Sequence, residues 1–295
     1  MKSLQGLLIV AVLGIAALPL WRTSPAVKTP ADSHPPSEAP LRKKDAVRPS
    51  VAPAFTVPSA FAQDPIRRFA FVKDCAKFRH FDSFYRQQAA DPSWPLNSPE
   101  ALAAAEPEFR SKLLKTSKFL EEHRQSCTAW IEAKPQDLVN AQIYDASLQA
   151  ALEGDQNAAA CFVMASWQAP SSQSQYYSGL VEAYATHAPR FVQDGLRLGS
   201  WPVALAAYHA TREEHGFRTS LGLSKQDIYL LARLAQMGSP DAEAESQYRD
   251  QAADSSRNLG AGQIVALDKR ASGLFANEFK KGRVGIQSVA DMCVN

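Results

Sequence analysis

The stretch Leu148–Trp167, LQAALEGDQNAAACFVMASW, decides the fold of this chain. It reads as a helix that stops at Gly154, a one-residue turn, and a second helix that starts on Asp155 and is lined with alanine. Glycine adopts the left-handed position past a helix end at no side-chain cost, and an aspartate side chain satisfies the first free amides of the next helix. The same grammar recurs at Leu196-Arg197-Leu198-Gly199-Ser200 and at Ala235-Gln236-Met237-Gly238-Ser239. In each case Gly closes one helix, Ser opens the next, and alanines follow (Ala204, Ala206 and Ala207; Ala242 and Ala244). The Gly-to-Gly spacings are 45 and 39 residues. Repeats of this size predict an all-α body of antiparallel helical hairpins, stacked as a short solenoid-like array.

Working outward, residues 64–295 form the expected helical domain. Asp74 is positioned to cap a helix carrying Phe78, Phe81, Phe84 and Tyr85 at helical spacing. Ser98-Pro99 opens another helix, Pro107 restarts it, and Lys134-Pro135 breaks the chain again. Leu138, Ala141, Tyr144, Leu148 and Leu152 then make the apolar stripe of the helix that ends at Gly154. Two short helices are expected around a break at His187-Ala188-Pro189, and an Ala-rich helix runs from Trp201 to about His215. Ser224 with Asp227 reads as a capping box, Ser239-Pro240 as the next helix start, and a last helix spans about Ile264 to Lys281. The one short run that could be a strand is Phe69–Val72.

Residues 1–63 are of a different kind. Leu7–Trp21 is an apolar run of 15 residues, a helix of about 22 Å against a hydrocarbon core of about 30 Å; counting from residue 4 makes a short span feasible. Residues 1–21 therefore read as a signal anchor, with a cleaved signal peptide as the alternative. Residues 22–63 hold eight prolines among Ala, Ser, Lys and Arg. Such a segment buries too little apolar surface to offset the entropy of ordering and reads as a disordered linker. Fully extended it would reach roughly 120 Å, and as a coil on the order of 35 Å. These features predict a protein of the bacterial inner membrane, single-pass through residues 4–21, with its body in the periplasm. After signal cleavage the same body would be soluble there.

The net charge of +2 divides unevenly: residues 1–63 carry +4, leaving the remainder at −2. The body thus offers no electrostatic reason to bind nucleic acid. Its four cysteines, Cys75, Cys127, Cys161 and Cys293, number two disulfides in an oxidising compartment, with three connectivities open. Cys75–Cys127 and Cys161–Cys293 are preferred, the first stapling the leading helices and the second tying the last residues to the central hairpin. His123 and Cys127 lie at i, i+4 but supply only two metal ligands, so no metal site is assigned. No cofactor motif is found: Walker A, H-E-x-x-H, G-x-S-x-G and S-x-x-K are absent from the sequence. Tyr176, Tyr177, Tyr184, Trp167 and Trp201 are the large amphipathic residues near the turns, suited either to an interface or to filling gaps between helices.

Three resemblances follow from these residues. Ala150–Ala158, AALEGDQNA, resembles the A-x-x-G-[DN]-x-x-A core of Sel1-like repeats, relatives of tetratricopeptide repeats, and the Gly199-Ser200 and Gly238-Ser239 sites are similar in part. The resemblance implies a helical adaptor or scaffold that binds an envelope protein partner. Glu245-Ser246 followed by Gly260-Ala261-Gly262-Gln263 resembles the E-S and G-x-G-Q neighbourhood of lytic transglycosylases. That likeness implies Glu245 as general acid on peptidoglycan, although Glu245 stands in a polar run instead of an apolar pocket. Anchor, Ala/Pro linker and helical body together are similar to lipase-specific foldases, implying a folding helper for an exported protein. The R-x-x-F-D-Y motif of that family is not reproduced by Arg79-His80-Phe81-Asp82. Taken forward is a membrane-tethered adaptor acting by protein–protein interaction.

Overall fold

The computed structural model describes residues 61, 63–132, 134–165, 172–211, 221–239, 241–279 and 293. The expected anchor, nearly all of the linker and Trp167 lie outside the described residues, and the helices expected to reach about His215 and Lys281 end earlier, at Ala210 and Asn277. Among the described residues the chain is all-α, with ten α-helices, one 3-10 turn and no strand. We number the helices α1 Pro65–Ala89, α2 Pro99–Ala104, α3 Pro107–Ile131, α4 Gln136–Leu152, α5 Gln156–Met164, α6 Tyr177–Arg197, α7 Trp201–Ala210, α8 Lys225–Gly238, α9 Ala242–Ser256 and α10 Ala261–Asn277. The 3-10 turn, Pro95–Asn97, lies between α1 and α2.

Most starts follow local chemistry. Ser98 accepts from the Ala101 amide at 3.0 Å, and Pro99 and Pro107 occupy first-turn positions where a missing N–H costs nothing. Ser224 and Asp227 complete their capping box, the Asp227 carboxylate accepting from both the amide and the hydroxyl of Ser224. Three local expectations are corrected. The cap of α1 is Asp64, which accepts from the amides of Ile66 and Arg67, so Asp74 lies inside the helix. Phe69–Val72 is helical too, because its Phe69 and Val72 turn to the core together with Cys75 and Ala76. Pro189 does not divide α6, which runs unbroken through it. The missing amide costs Ala185 its i+4 donor, and the buried Leu180, Tyr184, Ala188, Phe191 and Val192 on both sides hold the helix together.

From Ala141 to Ala151 helix α4 has no solvent face. Twelve of its residues are buried, among them Gln142, Asp145, Ser147 and Gln149 as well as the apolar set. The stripe expected from Leu138 to Leu152 is therefore one side of a helix enclosed by α1, α5 and α6. Ala141, Ala146, Ala150 and Ala151 allow that approach. Phe162 of α5 joins the layers, its ring lying 4.6 Å from Tyr144 of α4 and 5.8 and 5.5 Å from Tyr184 and Phe191 of α6. Tyr184 keeps its hydroxyl satisfied by donating to the Val163 carbonyl at 2.8 Å. Further contacts run onward through α5 with α7, α7 with α8, and α8 with α9 and α10.

The three glycine turns separate into two kinds. Gly154 has φ +97° and Gly199 φ +65°. At the first, Gly154 and Asp155 donate to the carbonyls of Ala151 and Ala150; at the second, Gly199 and Ser200 donate to those of Leu196 and Gly195. Both are Schellman closures. Asp155 then caps α5, accepting from the Ala158 amide at 2.8 Å. Ser200 begins α7 without a side-chain cap, and its buried hydroxyl has no hydrogen-bond partner; main-chain bonding already closes this turn. Gly238 is the last residue of α8 and has no left-handed φ. Its lack of a side chain makes room for the Trp201 ring, on which an added Cβ would fall. Ser239 caps the end of α8 and donates its hydroxyl to the Ala235 carbonyl, while Asp241 opens α9 by accepting from Ala244.

At Gly154 a Cβ meets nothing within 4 Å, whereas at Gly199 it strikes the Glu278 carbonyl. Gly154→Ala is expected to cost only the left-handed strain, about 1–2 kcal/mol, and Gly199→Ala measurably more. Urea unfolding with the disulfides intact checks the order; equal losses would contradict it.

Candidate functional site

All four cysteines pair as preferred. Cys75 bonds Cys127, joining α1 to α3 with Cα atoms 4.9 Å apart, and Cys161 of α5 bonds Cys293 with Cα atoms 5.2 Å apart. The loops enclosed span 52 and 132 residues, worth about 4–5 kcal/mol each if loop closure in the unfolded chain dominates. Cys127 is thereby removed from any pairing with His123, whose Nδ1 lies 2.8 Å from the Phe119 carbonyl. No group of three or more His, Cys, Asp or Glu side chains suited to a metal occurs among the described residues.

A groove of about 450 Å³ opens between α6, α8 and α10. Val192 and Leu196 of α6, Leu231 of α8 and Leu274 of α10 line it together with Leu221, and its charged residues are Arg197, Asp227, Arg270 and Glu278. Gly222, at φ +64°, lets the chain lay Leu221 and Leu223 along the wall before α8 begins. Apolar walls with a few charged groups around them suit a ligand or a docking side chain.

The position of α10 against α8 is fixed by a polar clamp. Arg233 of α8 donates Nε to Asp268 of α10 at 2.7 Å, and the Tyr229 hydroxyl donates to the same carboxylate at 2.9 Å. Arg233 also donates Nη1 to the Gln236 side-chain oxygen. Gln236 in turn reaches Glu245 of α9 at 3.5 Å, and Arg249 pairs with Glu245 at 3.0 Å. Glu245 thus ends a chain of contacts across three helices. Its side chain is 45 % exposed, it faces a guanidinium, and it does not line the groove. A glycosidase's general acid sits instead in an apolar, enclosed pocket.

The aromatic residues divide as well. Tyr184 is fully buried, and Trp201 packs on Phe279 and Phe275 with ring separations of 4.6 and 6.3 Å. Both fill gaps between helices. Sequence reasoning passed over Leu221–Leu223, where the only signal is a glycine between two leucines.

Titration should report this core. Burial, and then Tyr184, holds Tyr144 well above the ordinary 10.0. Burial first and then Asp268 raise Tyr229, and burial raises Tyr85. His187 is lowered from 6.5 by burial and then by Arg190. Above pH 10.0 the unfolded chain releases tyrosine protons that the folded one retains, so stability falls as pH rises. Below pH 6.5 the unfolded chain takes up the His187 proton more readily, so stability falls as pH drops. Urea midpoints followed against pH should show both declines, and Tyr144→Phe should flatten the alkaline one. An alkaline limb unchanged by Tyr144→Phe would contradict the assignment.

Compared with known family models, with curated proteins and with solved structures, the chain matches none.

Proposed function

We propose that this protein is an adaptor of the bacterial envelope. Residues 4–21 hold it in the inner membrane, residues 22–63 form a tether, and the helical body in the periplasm binds another protein. The observation that carries this reading is the pairing of all four cysteines as Cys75–Cys127 and Cys161–Cys293, since such bonds persist in oxidising compartments. The apolar run Leu7–Trp21 and the eight prolines after it supply the matching route and spacer. Among the described residues no helix is long and apolar enough to cross a membrane, so the anchoring role rests on residues 4–21.

Support for a stacked-hairpin body comes from the shared closure at Gly154 and Gly199 and from helix contacts that pass between elements close in sequence. In this reading the Gly238 turn is a variant shaped by Trp201, and the α6/α8/α10 groove is the docking surface. The surroundings of Glu245 favour this non-catalytic reading over peptidoglycan cleavage.

Two measurements test it. In intact Gram-negative cells the full chain should sediment with membranes, and its cysteines should resist maleimide until reductant is added. Deleting residues 4–21 should release a soluble, maleimide-reactive protein. Reactive cysteines in the full chain would overturn the compartment. On purified peptidoglycan, wild type and Glu245→Gln should be equally inactive; hydrolysis by wild type that the substitution abolishes would replace the adaptor with an enzyme.

A further inference from the structure

We propose that the cleft between α1 and α4 binds the C-terminal carboxylate of a peptide, with Arg79 as its anchor. The cleft holds about 430 Å³. It is built from one face of each helix: Ala76, Arg79, His80, Ser83, Phe84 and Gln87 recur at helical spacing on α1, as do Gln136, Val139, Asn140 and Ile143 on α4. None of these residues is a carboxylate.

Arg79 carries the argument. Its Nη1 is buried and has no hydrogen-bond partner. Asp82, three residues on along the helix, is already shared between Arg86 at 2.7 Å and Arg124 at 3.3 Å. A buried guanidinium donor left without an acceptor is destabilising, and the planar fork of arginine fits the two oxygens of a carboxylate. An incoming carboxylate supplies the acceptor that the fold withholds.

The remaining walls choose the rest of the ligand. Val139 and Ile143 lie buried beneath the cleft as its apolar floor, and Phe84, 45 % exposed, stands at the edge with its ring 6.0 Å from Trp94. These suit an apolar last side chain. The Gln136 amide donates to the Asn140 side-chain oxygen at 2.6 Å. That bond leaves the Gln136 side-chain oxygen to accept and the Asn140 amide nitrogen to donate, the complement of the N–H and C=O of a peptide unit. A peptide C-terminus ending in an apolar residue satisfies all three features, independently of whether the protein is anchored to a membrane.

The test uses the full chain in detergent, oxidised, with fluorescein-labelled tripeptides ending in Ala, Val, Leu or Phe, each as free acid and as C-terminal amide. Fluorescence anisotropy should show binding of at least one acid and a loss of about ten- to a hundredfold for its amide. Arg79→Gln should give a similar loss, and Arg79→Lys a smaller one, with helical content and both disulfides unchanged. Because the acid–amide comparison is made on the wild-type protein, it stands even if a variant misfolds. N-acetyl-leucine, which carries the carboxylate, an apolar side chain and one peptide unit, should compete, and inorganic phosphate only weakly. The proposal is overturned if no acid binds, if acid and amide bind alike, if a folded Arg79→Gln binds as wild type, or if phosphate competes as well as the peptide.

Discussion

The enclosure of α4 is the constraint on which the rest of the structure depends. A helix buried around its whole circumference must receive neighbours on every side, and each must come close enough to exclude water. Its alanines and Ser147 permit that approach, and the Ser147 hydroxyl is satisfied by donating back to the Tyr144 carbonyl at 2.7 Å. The price is polar burial: the Gln142 side-chain oxygen has no partner. Tyr144, Phe162, Tyr184 and Phe191 then lock α4, α5 and α6 into one packed unit. Ring pairs of this kind add stability beyond the area they bury.

Much of this was legible in the sequence where local chemistry decides. The Gly154-Asp155 turn, the Ser98 cap, the Ser224/Asp227 box and the all-helical class all depend on residues within a few positions of each other. The cysteine pairing was legible for a different reason, since four cysteines admit few connectivities and this one joins elements that hairpin packing brings together. What escaped local reading depends on distant partners. Gly238 carries the same sequence signature as Gly154, yet Trp201 explains it. Pro189 looks like a helix break, but packing on both flanking turns outweighs the lost amide. Asp74 is a good cap residue in isolation; Asp64 precedes a proline, and the helix starts there.

The candidate sites are less legible still. The Arg79 cleft unites two helix faces whose central residues lie about 60 positions apart, and an unpaired guanidinium leaves no trace in a motif. The α6/α8/α10 groove owes its walls to three elements and its rigidity to Arg233, Asp268 and Tyr229. Glu245 shows the converse. Its neighbours in sequence resemble a catalytic signature, whereas its neighbours in space form an ion-pair network.

The two disulfides do not overlap along the chain: one closes 75–127 and the other 161–293. Helices α6 to α10 all lie within the second loop. A single peptide bond cut anywhere between Cys161 and Cys293 therefore leaves one covalent molecule, its fragments still joined through α5. The same cut between the two loops, in α4 or its flanks, would separate the chain into two pieces held only by packing. The enclosed stretch of α4 lies between the two loops, where no disulfide secures it and burial alone protects it.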